Sequence, residues 1–262
     1  MSDLVFEEAA SRRTSRGRVR AFDAAVLTLL ILALWQAIGS WTQGIAVSPP
    51  LQTLAYLFDL LRTSMFWEHA AATLYAFLLA YALSALIGLA LGLIFGMQRF
   101  TGEVAEPILA GFYTIPKVTL YPVVLLIFGL GMSAKVAFGV MHGLVPMTLF
   151  TLGAVRNLPP VLIRTAKVLR LSPGRTMLWV LVPACLPEIV NGLRISFSLT
   201  LLGVLIGEMF SSQRGLGFLL VNGMAQHNVP LSTAVVTVIV VVSIAANSLM
   251  LRLRGRTAQR AN

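Results

Sequence analysis

Residues 70–97 run for 28 positions without an Asp, Glu, Lys or Arg, and this stretch restricts the possible folds more than any other. A span of the bilayer core needs roughly 20 apolar residues, so this one implies tilt or an extension beyond the hydrocarbon. With no water to satisfy backbone N–H and C=O groups there, the segment must be a helix. Ala76, Ala80, Ser84, Gly88, Gly92 and Gly96 fall at every fourth position within it. Small side chains in that register make a smooth stripe that a second helix can approach closely, so Gly88, Gly92 and Gly96 are expected to be helix-packing positions.

Composition extends the argument to the whole chain. With 57% hydrophobic and 11% charged residues and a mean hydropathy of +0.84, the class is an all-α polytopic membrane protein. Further apolar runs at residues 24–41, 118–130, 134–155, 188–210 and 232–251 bring the expected spans to about six. The run at 118–130 is short and interrupted by Pro122, which marks it as a candidate lining of a path. Broken helices are tolerated where protein or a water-filled cavity satisfies the freed backbone groups. Residues 42–69 read as an exposed loop whose amphipathic part, 51–61, lies near the bilayer surface. Residues 99–117 read as a short polar connection, and 211–231 as a polar, glycine-rich segment. The expected organisation is a disordered basic cytoplasmic arm at 1–21, one transmembrane domain at 22–252 and a basic cytoplasmic tail at 253–262. The opening also has the outline of a signal peptide, but its apolar run is long for an h-region and no A-x-A-like site follows.

The net charge of +10 points to the membrane and not to nucleic acid, because of where the charges fall. Sixteen of the 20 Lys and Arg residues lie in the arm, the tail and the segments that six spans place on the same side as both termini; only Arg62, Lys135 and Arg214 lie opposite. By the positive-inside rule both termini are cytoplasmic. Arg194 falls inside the fifth span. Glu188 suits the positive end of that helix's dipole and reads as structural. Glu208, near Ser211 and Ser212 at the far end, reads equally as an interfacial carboxylate. The single cysteine, Cys185, excludes an intramolecular disulfide and is expected to be a free structural thiol. No nucleotide- or metal-binding motif is present, so no cofactor is expected, and His69, His142 and His227 are far apart in sequence. The chain is not expected to be an enzyme, and energy for any transport has to come from a partner.

A polar, cationic island interrupts the apolar runs at residues 156–194. Pro159 and Pro160 suit the first turn of a helix, and residues 161–171 then read as an amphipathic helix. Arg164, Lys167 and Arg170 recur along one side, with Leu162, Ala166 and Leu169 on the other. Ser172 with Pro173 restarts a helix as an N-cap and first-turn pair, reaching to about residue 182. Pro183 and Pro187 break the chain again.

Short helix, turn, short helix, then Val182-Pro183 with Pro187 and Gly192-Leu193-Arg194, resembles the cytoplasmic coupling loop of bacterial ABC importer permeases. The flanks Gly207-Glu208-Met209, Gly215-Leu216-Gly217, Glu106-Pro107, Ile115-Pro116, Pro122 and Phe128-Gly129 with Gly131 and Lys135 are similar to the nitrate, sulfonate and taurine class, over roughly residues 70–225. Two positions depart from the pattern: Arg164-Thr165-Ala166 stands where members usually carry Glu-Ala-Ala or a small-residue variant, and Arg170 where they carry glycine.

The resemblance implies a type I ABC importer permease-like fold in the bacterial inner membrane. It implies a homodimer that docks cytoplasmic ABC ATPase subunits through the loop at 156–187, with Arg164, Thr165, Ala166, Lys167, Leu169, Arg170, Leu171, Ser172, Pro183 and Pro187 as its coupling residues. A periplasmic solute-binding protein would deliver a small anion such as a sulfonate, nitrate or taurine, and membrane lipid surrounds the whole. Pro122, Glu208, Ser211 and Ser212 become candidates for a translocation path or gate. An ion-coupled secondary transporter is the alternative, disfavoured by spans that carry no mid-membrane carboxylates.

Overall fold

The computed structural model describes the backbone of residues 2–260; the side chains of residues 2–21, 99, 211 and 252–260 lie outside the description. The helices are α1 (Ser2–Trp41), α2 (Pro50–Leu60), α3 (Ser64–Met97), α4 (Arg99–Thr114), α5 (Tyr121–Phe128), α6 (Met132–Arg156), α7 (Pro160–Val168), α8 (Pro173–Thr176), α9 (Val182–Ser211), α10 (Leu216–Ala225) and α11 (Val229–Arg260). Five described segments are long and apolar enough to cross a membrane, and a bent pair makes a sixth. The backbone of α1 is helical from Ser2, so no break marks the expected boundary at residue 21; Ser211 and the basic tail fall where side chains are not described.

The molecule is built around α6. Of its membrane window 56% is buried, against 6% for Phe22–Trp41 and 11% for Val229–Leu251, so α6 is the axis and the first and last spans are peripheral. One flank of α6 receives α3 in parallel. A Cβ built on Gly88 would lie 2.7 Å from the Met147 Cβ, on Gly92 2.5 Å from the Thr151 Cβ, and on Gly96 2.6 Å from the Val155 Cβ. Each four-residue step on α3 therefore meets a four-residue step on α6, and only a missing side chain permits that approach. The other flank receives α9 in antiparallel sense. Gly143 is where the three helices converge, since a Cβ there would meet Ser84 of α3 and Ser196 and Thr200 of α9.

The structure corrects four expectations. Residues 99–117 are mostly helix, α4, whose charges gave the look of a connection; Arg156 pairs with Glu106 to fasten α4 to the C-terminal end of α6. The third span is a broken one, with α4 and the segment Lys117–Phe128 bent by 88°. The bend falls at Ile115-Pro116, where the proline holds Ile115 in an extended conformation (φ −64°, ψ 131°). Pro122 does not interrupt α5: it sits in its first turn, where an absent N–H costs nothing. Lys117, counted as cytoplasmic, is instead buried at the bend, donating to the Tyr113 carbonyl.

Third, residues 211–231 contain α10, an apolar helix packed on α9 and α11. The helix at residues 50–60 is likewise anchored and not loose, with Thr53 and Leu60 buried. Fourth, Pro183 and Pro187 do not break the chain. Pro183 occupies the first turn of α9 and Pro187 lies inside it, and the preceding residues Met177–Leu181 widen into a π-helical turn. Helix therefore runs almost unbroken from Pro173 to the C-terminal end of α9.

Candidate functional site

Two polar constructions stand out, one at each end of the bundle. At the end that carries α10, Glu208 of α9 has no exposed surface. The Thr73 hydroxyl lies 2.8 Å from its Oε2, the Gly217 N–H donates to Oε2 at 3.0 Å, and the Lys135 Nζ lies 3.6 Å from Oε1. Lys135, itself 3% exposed, also donates to the Arg214 carbonyl at 2.6 Å. The Leu216 N–H donates to the Thr73 hydroxyl and the Gly215 N–H to His69 Nδ1. A buried carboxylate is tolerable only when its charge and lone pairs are met in this way.

The glycines explain how the backbone gets close enough. Gly215 has φ +128°, and a Cβ there would lie 2.1 Å from the Glu208 Cδ; one on Gly217 would lie 2.4 Å from the Leu205 carbonyl oxygen. Gly-Leu-Gly is thus the piece of chain that wraps a carboxylate. The interfacial reading of Glu208 fails, because α3, α6 and the loop close over it. His69, far in sequence from the other histidines, packs into the same cluster and stacks on Phe218. Ser212 bonds the Arg214 backbone and so shapes the loop.

At the opposite end, α7 is a turn shorter than the amphipathic pattern predicts. It closes at Val168 in a Schellman motif: the Leu171 N–H donates to the Ala166 carbonyl, the Arg170 N–H donates to that of Lys167, and Arg170 has φ +50°. That is the left-handed position where glycine is favoured. Arg170 therefore occupies a turn of the geometry a glycine would make, with added strain. Ser172 caps α8 by accepting from the Arg175 N–H, and Arg175 lies over the Trp179 ring.

The outward side of this loop differs from the expected one. Ala166 is 2% exposed and lies with Leu162, Trp179, Val180 and Pro183 around a shallow cleft, so it is closed toward the protein. Val168 at 81% and Leu169 at 64% exposure project outward beside Arg164, Lys167 and Arg170.

A broken third span, a smooth-faced central helix pair and a helical polar loop between the fourth and fifth spans define a permease-like membrane subunit. The family model for binding-protein-dependent transport system inner membrane components matches residues 84–262. The chain belongs to that family, and so is an ABC importer permease. A probable ABC transporter permease of Haemophilus influenzae is 31% identical over 230 residues, covering 87% of this chain and 93% of the relative. The taurine transport system permease of Escherichia coli is 28% identical, with 84% and 83% covered. A nitrate import permease of Leptolyngbya laminosa is 28% identical, with 76% and 74% covered. Among solved structures, a chain of the inward-facing MetNI methionine ABC transporter superposes with a TM-score of 0.63 at 19% identity, over 71% of this chain and 93% of that one. At that identity the likeness establishes the fold, which is the type I importer fold. The solutes named for the relatives differ, and riboflavin and formylaminopyrimidine are among them.

Proposed function

We propose that this chain works as a homodimer in an ATP-driven importer of a small oxidised anion, a sulfonate, nitrate or taurine, delivered by a periplasmic binding protein. Cytoplasmic ABC ATPase subunits dock on the loop at 156–187 and drive it. Both termini lie in the cytoplasm and lipid surrounds the outer helices. The observation that carries this reading is the loop itself, which presents exposed Val168 and Leu169 with three cations at the end of a rigid helical arm continuous with α9. Helix-borne motion at α7 and α8 is passed along α9 to the outer cluster. There Glu208 holds Lys135, which in turn holds the Arg214 carbonyl of the loop at residues 212–215, and Glu208, Ser211 and Ser212 set the outer gate. Pro122, in the first turn of α5, belongs to the broken span beside that path.

In membranes containing the whole transporter, Leu169→Asp is expected to cut ATPase co-purification about tenfold or more, as loss of a central anchor does. Arg170→Gly keeps it, because the turn prefers glycine. Rim cations such as Arg164 affect salt dependence more than final affinity. Cross-links from position 169 that reach only lipid, with ATPase retained in Leu169→Asp, refute the docking assignment.

A further inference from the structure

Arg194 lies at mid-membrane depth on α9, and no partner answers its charge among the described residues. α9 packs on α6 through Ile189, Gly192, Ser196, Gly203 and Gly207. At about 100° per residue, Asn191, Arg194 and Ser198 stand on the opposite side of the helix. The depth follows from contacts. Ser196 donates to the Gly143 carbonyl, and a Cβ on Gly192 would lie 3.3 Å from the Met147 sulfur. Residue 194 is therefore level with the middle of α6, roughly 15–20 Å from either of its ends.

Arg194 is half-buried and Ser198 exposed. Among the described residues nothing accepts a hydrogen bond from the Arg194 guanidinium and no carboxylate pairs with it. Facing acyl chains at that depth would cost about 2.5–3.5 kcal/mol. Its side chain leans back toward the cytoplasm by no more than about one turn, which leaves the charge well inside. The outer half of the same side is apolar, with Leu202 and Met209 exposed, so the polarity is confined to the cytoplasmic half. A cleft lined by Asn157 and Glu188 opens between α6 and α9 at that end, on the flank of α9 that faces α6. Glu188 accepts from the Asn191 amide at 3.0 Å, so a polar edge leads from that cleft toward the side of α9 that carries Arg194.

We propose that the inner half of α9 lines a water-filled passage and that Arg194, flanked by Asn191 and Ser198, binds the anionic oxygens of a small sulfonate or similar oxyanion on its way to the cytoplasm. This rests on the importer reading above and names a position in the path. The guanidinium fork matches two oxygens of such an anion at once, and the neighbouring hydroxyl and amide supply neutral donors. A single cation holds an anion weakly enough to release it. Glu188 lies about 9 Å nearer the cytoplasm, where water and salt screen it.

The test uses full-length chain in inside-out membrane vesicles, with Cys185→Ala removing the only native thiol. Ser198→Cys is treated with two impermeant methanethiosulfonates, one carrying a sulfonate and one a trimethylammonium group. Ser198→Cys is expected to react with both, and the sulfonate-to-ammonium rate ratio is expected to fall about tenfold with Arg194→Gln and to return with Arg194→Lys. An unreactive thiol at both Ser198→Cys and Asn191→Cys, or a ratio indifferent to Arg194, overturns the proposal. ATPase co-purification reads a different surface, so loss of docking with the ratio intact would strike the importer reading and leave the passage standing.

Discussion

At the scale of single residues, the clearest lesson is what encloses Glu208. Its carboxylate, Lys135, Thr73 and the N–H of Gly217 come from four helices, α9, α6, α3 and the first turn of α10, and their sequence separations hide the association. Lys135→Met is expected to cost about 3–5 kcal/mol, because it strands a buried carboxylate, and adding Glu208→Gln should recover part of that. The check is thermal unfolding of the purified protein together with trypsin cleavage after Arg214 in spheroplasts. Lys135→Met should expose that bond, since Lys135 holds the Arg214 carbonyl; equal resistance in both variants would mean that the cluster does not hold the loop. The sequence did carry a signal here, the Gly207-Glu208 and Gly215-x-Gly217 pairing, but only as a resemblance. The physical reason for it, glycines making room for a carboxylate, needs coordinates.

At the scale of elements, the four-residue stripe on α3 was legible because close helix approach has a sequence signature, namely small residues on one face. Gly92→Leu is expected to abolish stable accumulation in the membrane, since a Cβ alone already meets Thr151 at 2.5 Å, whereas Leu91→Ile should be mild. Quantifying tagged protein in membrane fractions decides it, and equal levels for the two would mean that the stripe faces lipid. The misread elements share one cause. α4 and α10 carry charges or glycines that look like loop in sequence, and prolines at 122, 183 and 187 look like breaks. Proline is tolerated in a first turn or beside a widened π turn, and tertiary neighbours such as Arg156 with Glu106 supply what local sequence lacks.

For the whole molecule, orientation is the property to test. The charge asymmetry loses Lys117, now buried at the bend, yet keeps its sign because the arm, loop and tail hold most of the cations. A cysteine at Gln213 is expected to react with an impermeant reagent from outside intact cells and one at Ser172 only after permeabilisation; the reverse pattern overturns the orientation. Residue chemistry by itself determined that the chain is a helical membrane protein, where five of its spans fall, which face of α3 is smooth and where a polar helical loop interrupts them. All of these follow from local hydropathy and periodicity along one segment. Only the tertiary structure decided that α6 is the axis, that one span is broken by 88°, that Glu208 is sealed among distant partners and that Arg194 has no partner among the described residues. Those depend on which helices lie side by side, and chain-local patterns do not encode which distant neighbour fills a gap or answers a charge.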